Sequence, residues 1–348
     1  MNIGIIGAGR LGGFHAEKAF NNPAVKLVGV SDTSRQRSSE LAIKYGVIDF
    51  PRPEEMLTCV DAVVIAAPTQ NHYSLGMLFL SNGIHVLMEK PLAISYTHAQ
   101  KLVDLAKEKK LVLQVGHVEQ FNPAWSTAAP VLDSVRAGKR AIITAERTSG
   151  YTFRSTDIGV VHDLMVHDLD LVLSVVPSPI RSVDAHGFNI VGHPENGGHE
   201  DIAHARILFE NGSVAEFRAS RIDQQAKRIM RIQTIGKSAE IDFATRSTTI
   251  SVFDDAITSG KFAPHNLDGT DPTELAKGFM QNHIQTLEIE QDSVDALSLE
   301  MNDFVQSITN GCSPQVSGSR ALQAVAAADK IVRIISSNVI EHHKAKAA

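Results

Sequence analysis

Asn2-Ile3-Gly4-Ile5-Ile6-Gly7-Ala8-Gly9-Arg10-Leu11-Gly12 decides the fold. Its first five residues form a buried-strand pattern, and Gly7-Ala8-Gly9-Arg10-Leu11-Gly12 fits G-x-G-x-x-G where that pattern gives way to a helical one near 12–20. In this setting each glycine has its own duty: the first makes the tight turn, the second lets a pyrophosphate approach the backbone, and the third lets helix pack on strand. The helix N-terminus supplies free amides and the positive end of a dipole for the same anion. Gly7, Ala8, Gly9, Arg10, Leu11 and Gly12 are therefore the expected contacts of a dinucleotide.

Working outward, the run Val25–Val30 reads as a second strand, and Asp32 stands just beyond it, about 20 residues past the last glycine, where a ribose-binding acid belongs. A carboxylate there accepts from both ribose hydroxyls and repels a 2'-phosphate, which favours NAD over NADP, while Arg35 and Arg37 weaken that preference. Further strands are expected at Ala62–Ala66, His85–Met88 and Leu111–Val115, with helical patterns near 34–44, 71–81 and 95–109. Runs that are apolar on both faces imply parallel strands covered by helices, so the first 118 residues read as a doubly wound α/β domain. Ala67, Pro68, Thr69 and His72 follow the third of these strands and are expected to line the dinucleotide cleft, with capping of the next helix as the plain alternative for Pro-Thr. Glu89-Lys90-Pro91 occupies the same sheet edge. A lysine at an enclosed strand end loses its proton more readily than a surface one and can polarise a substrate oxygen, so Lys90 is a mechanistic candidate, with Glu89 beside the cofactor.

The chain has 348 residues, enough for two domains, with 43% apolar and 21% charged residues, an ordinary globular composition. Lys plus Arg (33) against Asp plus Glu (39) gives a net charge of -6, which disfavours a nucleic-acid partner. Two cysteines, Cys59 and Cys312, imply no disulfide framework and suit a reducing, cytoplasmic home. No export signal is read at the start, and no apolar run is long enough to cross a bilayer.

After Phe121 the pattern changes. A helix around 123–137, a strand near 140–148 and a helix at about 159–173 precede alternating runs that flank Asn211-Gly212, a strong hairpin signal. A second hairpin is expected at Gly236-Lys237. Residues 119–348 thus read as an α+β domain on a large open antiparallel sheet, with 254–290 unplaced, helices at 294–309 and 318–340, and a frayed tail from His342. The C-terminal helix is free to pack back on the first domain. Asp163 and His167 stand four apart on a predicted helix, hence on one face, and a carboxylate beside an imidazole raises its basicity and fixes its orientation, as a general base requires.

The opening glycine turn, Ala66-Ala67-Pro68-Thr69, Glu89-Lys90-Pro91 and Asp163-Leu164-Met165-Val166-His167-Asp168-Leu169-Asp170 together resemble the Gfo/Idh/MocA oxidoreductases across nearly the whole chain. The resemblance implies a Rossmann domain followed by an α+β domain whose open sheet commonly forms a subunit interface, hence a homodimer or homotetramer. It also implies a catalytic lysine, aspartate and histidine at Lys90, Asp163 and His167. Gly116-His117-Val118-Glu119-Gln120-Phe121-Asn122-Pro123-Ala124 is similar to the nucleotide-sugar branch, the UDP-N-acetylglucosamine 3-dehydrogenases, with Gln120 where that branch often carries Arg.

Glu119 and Asn122 are candidate sugar contacts, with helix capping as the equal alternative for Asn122. Arg147 and Arg154 precede the helix that bears His167 and suit a substrate diphosphate, since guanidinium grips phosphate in bidentate fashion. His193, His199 and His204 lack zinc-site spacing, so no metal is expected. The expected reaction is NAD-dependent oxidation of a secondary hydroxyl of a sugar, probing first the C3 hydroxyl of UDP-N-acetylglucosamine. Its competitors are a free-polyol, inositol or glucose dehydrogenase and, in another class, a dinucleotide sensor without chemistry.

Overall fold

The computed structural model describes residues 1–153, 158–191, 199–262, 271–290 and 295–347, with side chains through 338. The chain divides into two compact units, Met1–Phe121 with Asp295–Lys330, and Asn122–Val294 with Ile331–Ala348.

The first unit is built on β1 (Asn2–Ile6), β2 (Lys26–Ser31), β3 (Ile48–Asp49), β4 (Ala62–Ile65), β5 (His85–Glu89) and β6 (Leu113–Gly116), all parallel in the order β3-β2-β1-β4-β5-β6. Helices α1 (Arg10–Asn21), α2 (Arg35–Tyr45), α3 (His72–Ser81) and α4 (Tyr96–Lys109) make the crossovers. Successive strand residues point to opposite faces. Accordingly, Ile3, Ile5, Ala62, Val64 and Leu87 pack with Ala16 and Ala19 of α1, whereas Ile6, Val63, Ile65, Val86 and Met88 pack with Phe79 of α3 and Leu102 of α4. The strand order reverses between β1 and β4, and such a reversal opens a crevice beyond the strand carboxyl ends.

The second unit begins with α5 (Pro123–Thr127) and α6 (Ala129–Arg136), two helices where the periodicity predicts one. Pro130 lies in the first turn of α6, where its missing amide is tolerated and a continuous helix is not. β7 (Ala141–Thr148) follows, then a π-helical turn at Val161–Met165 that runs into α7 (Val166–Val175). The sheet is completed by β8 (Ile180–Phe188), β9 (Ile202–Phe209), β10 (Val214–Ser220), β11 (Lys227–Thr234), β12 (Lys237–Asp242), β13 (Ser247–Phe253) and, after α8 (Asp255–Thr258) and α9 (Pro272–His283), β14 (Ile284–Glu290).

Its order is β14-β13-β12-β11-β7-β10-β9-β8. Seven neighbours in a row would make it purely antiparallel, but β7 and β10 run parallel, so the sheet is mixed. One face is apolar: Ile143, Ala145, Ile207, Phe217, Met230, Ile232 and Ile241 are buried. The other carries cross-strand ion pairs, Arg218 with Glu146 and Arg206 with Glu216. Gly212 has φ +81°, as the Asn-Gly hairpin requires. The described residues of 254–290, a stretch the sequence does not place, hold β14 with α8 and α9, and α9 buries none of its residues.

The first unit is then finished by α10 (Ala296–Asn310) and the start of α11 (Gly318–Ala347). Met301, Phe304 and Val305 enter one core of the sheet, and Val316, Ala321 and Val325 enter the other. A boundary at residue 118 with a contiguous second domain is therefore too simple, because both faces of the parallel sheet are covered partly from the end of the chain. Among the described residues no helix is long and apolar enough to cross a membrane.

Candidate active site

At the end of β1, Gly7 has φ +96°, and a Cβ there would lie 2.5 Å from the Ala66 carbonyl oxygen. A Cβ at Gly12 would strike the Gly7 carbonyl, whereas the Cβ position of Gly9 opens on empty space. Gly9 is the N-cap of α1 and provides no side-chain cap, so the first amides of the helix keep their capacity for an anion. This cradle fits a pyrophosphate.

Asp32 accepts from the Ala8 amide at 2.7 Å, the Ser34 amide at 2.6 Å and the Arg37 guanidinium at 2.9 Å. Burial pushes its carboxyl up, but the Ser34 and Ala8 amides and then Arg37 outweigh burial and hold it below the ordinary aspartate range. Arg35 makes a two-pronged contact with Asp49 at 2.9 and 2.7 Å. Both arginines near the ribose acid are thus engaged by carboxylates.

Along the same sheet edge Pro68 is exposed and Thr69 is buried beneath it. The expectation that His72 lines the cleft is corrected: it is 1% exposed, and its ring bridges the Pro91 carbonyl (Nδ1, 2.8 Å) and the Ala67 carbonyl (Nε2, 2.9 Å). It ties together the loops that carry Ala67 and Pro91. Glu89 is likewise turned inward, accepting from His15 Nε2 at 2.7 Å and from the Lys90 amide at 3.2 Å, so its place as a cofactor contact is corrected to that of an internal ion-pair partner. Burial opposes its ionisation, but the His15 hydrogen bond and charge and the Lys90 ammonium prevail and keep it an ionised carboxylate. Lys90 itself is half-buried just past the strand end, and Glu119 is buried in the 3-10 turn Val118–Phe121.

In the second unit, the π-helical turn spaces Asp163 and His167 differently from a regular helix, and such turns recur at functional sites. Val161, Met165, Val166, Asp168, Leu169 and Asp170 are buried around them, while His162, Asp163, Leu164 and His167 remain partly accessible. Glu200 holds the start of this turn: its carbonyl accepts from the Val160 amide at 2.9 Å and its Oε1 from the Val161 amide at 3.2 Å. A side chain at Gly159 would collide with the Glu200 carboxylate.

Arg147 was expected to meet a diphosphate and does not offer itself to one. It is 4% exposed, donates from Nε and Nη2 to Asp168 at 2.8 to 3.2 Å, and lies over the Phe243 ring. The pair pins α7, the helix that carries His167, to β7. Asn122 takes the capping alternative: Oδ1 accepts from the Ala124 amide at 3.1 Å and Nδ2 donates to the Phe243 carbonyl at 3.1 Å. Arg154 and His193 lie outside the described residues. Arg221, unremarked in the sequence, donates to Asp201 at 2.7 Å and to the Ile158 carbonyl at 2.9 Å, fixing the approach to the π-helical turn. His15, Glu200, Arg221 and Asp201 escaped sequence reasoning because their partners lie far off along the chain, so no local spacing betrays them.

Residues 1–117 match the family model described as an oxidoreductase family with an NAD-binding Rossmann fold, and residues 139–339 match its C-terminal alpha/beta domain. The chain belongs to this family, Gfo/Idh/MocA, and is an oxidoreductase of the sugar and polyol dehydrogenase class. It is 32% identical over 308 residues, 88% of each chain, to UDP-N-acetylglucosamine 3-dehydrogenase of Acidithiobacillus ferrooxidans. A solved structure of that enzyme superposes with a TM-score of 0.81 at 29% identity, covering 97% of this chain and 98% of the other. The NAD-dependent scyllo-inositol 2-dehydrogenase of Bacillus subtilis is 30% identical over 70% of this chain and 74% of its own length. A levoglucosan dehydrogenase solved with NADH and levoglucosan shares the fold, with a TM-score of 0.79 at 17% identity and 97% coverage of both chains.

Proposed function

We propose that the chain oxidises a secondary hydroxyl of a nucleotide sugar with NAD, the C3 hydroxyl of UDP-N-acetylglucosamine being the leading candidate. Asp163 and His167 carry the reading, as an acid and an imidazole left partly accessible beside the buried Met165, Val166 and Asp168. His167 takes the hydroxyl proton, Asp163 orients its imidazole, and the Lys90 ammonium stabilises the alkoxide as it develops. Gly7 to Gly12 hold the pyrophosphate, Asp32 the ribose hydroxyls, and Ala67, Pro68 and Thr69 border the cleft. A bound nicotinamide supplies the hydride acceptor. Engagement of Arg35 and Arg37 by carboxylates supports NAD rather than NADP, because each guanidinium already faces a carboxylate.

The 32% identity over 88% of the chain to UDP-N-acetylglucosamine 3-dehydrogenase supports the nucleotide sugar, with Glu119 and Arg154 retained as candidate contacts. A free polyol is the second reading, supported by the similarity to scyllo-inositol 2-dehydrogenase. NADH formation with a panel of UDP-sugars, inositols and glucose decides between them: turnover of inositol alone would overturn the first. The charged face of the mixed sheet is the proposed surface of a homodimer or homotetramer.

A further inference from the structure

Behind the end of β5, within the first unit, three ionisable side chains are enclosed together. His15 of α1 and Glu300 of α10 are both 0% exposed, and Glu89 is 7% exposed. His15 and Glu89 answer one another at 2.7 Å, and Glu89 Oε2 lies against Gly116 of β6, where an added Cβ would come within 3.1 Å of it. Glu300 has no such answer: neither carboxyl oxygen finds a hydrogen-bond partner among the described residues, although Gln114 of β6 donates to its main-chain carbonyl at 3.0 Å. An ionised carboxylate with no donor in a sealed pocket is far more costly than a neutral acid.

We propose that Glu300, enclosed with His15 and Glu89, is a positioning residue for the end of β5: held as a neutral acid, it leaves the ionised Glu89 to His15 and the Lys90 amide.

The groups around it act together. From its own helix comes Asp303, from β5 Glu89, from α1 His15, and from the 3-10 turn packed on α10 the buried Glu119. Burial first, then the negative charges of Glu89 and Asp303, push the Glu300 carboxyl well above the usual range, so it keeps its proton. Glu89 then serves only His15 and the Lys90 amide. Were Glu300 to ionise, a second negative charge would enter the pocket and bind the Lys90 proton more tightly. Such an acid weakens the fold progressively as pH rises from the ordinary glutamate value toward its own raised one, a cost that pure packing would have removed.

The kinetic consequence rests on the role proposed for Lys90, but the proton on Glu300 is testable without any sugar. Infrared spectra of the full chain at about pH 7 should contain a protonated-carboxyl band that Glu300→Gln removes. Glu300→Gln should also raise Tm relative to the parent by an amount that grows as pH rises from the ordinary glutamate range toward the pH at which the band vanishes. If that variant does not fold, Glu89→Gln should lower the pH at which the same band vanishes. In turnover, the kcat profile of Glu300→Gln should follow the parent's up to the pH at which the band vanishes and depart from it only above that pH, with KM for NAD within about twofold. A missing band, a Tm difference independent of pH, or a kcat profile that departs from the parent's while the band is still present overturns the proposal. Undiminished turnover in Lys90→Met would instead overturn the catalytic assignment of Lys90, leaving the infrared and thermal results to decide on Glu300.

Discussion

Lys90→Met keeps much of the side-chain length and removes the charge. The proposed mechanism expects kcat to fall by about a hundredfold to ten-thousandfold, the usual span for one acid–base or electrostatic group. NADH affinity, read by fluorescence titration, should stay within about threefold, since the cradle at Gly7 to Gly12 is untouched. Asp32 gives a second residue-level expectation. Its carboxyl lies below the ordinary aspartate range, so its contribution to stability is present above about pH 4 and fades as pH falls through the depressed value. Asp32→Asn should flatten that acid-side loss in thermal unfolding, and should narrow the preference for NAD over NADP in initial-rate comparisons. The places of Pro68, Asp32 and the glycine turn just past strand ends were readable directly from the sequence, because the buried run before each one marks its strand. His72, Glu89 and Arg147 were readable only as polar residues near the chemistry: which way each side chain turns was decided by partners such as Pro91, His15 and Asp168, invisible to local pattern.

Among the elements, α7 depends on the buried pair of Arg147 and Asp168. Removing one member leaves the other charge without its partner, so Arg147→Ala should cost about 3–5 kcal/mol in chemical denaturation. Replacing both by apolar residues of similar volume should cost much less, and the difference separates a buried-charge penalty from lost packing. Turnover should fall in the single variant beyond the loss of folded protein, because His167 is the immediate neighbour of Asp168. The α7 periodicity was legible, but the π-helical turn ahead of it was not. That extra residue per turn is held by Glu200 against Gly159, a contact between segments about forty positions apart. The parallel strands were legible for the opposite reason, since Val and Ile runs need no distant information to be read as buried on both faces.

For the molecule as a whole, size measurement in solution tests the charged sheet face. A dimer or tetramer that dissociates on Arg218→Glu would support it, whereas a monomer at micromolar concentration would remove that surface from consideration. Phe304→Ala in α10 should destabilise the first unit by about 3–5 kcal/mol, as for any large buried aromatic truncated in a core.

The closing of the parallel sheet by α10 also orders events in time. A ribosome releases Met1–Phe121 long before Asp295–Lys330 exists, so the nascent nucleotide-binding lobe waits with apolar strand faces uncapped until those later residues emerge. Cutting the gene after that first stretch would yield an incomplete fragment rather than a portable module, and anyone wishing to graft this lobe onto another scaffold must carry the distant helix along with it.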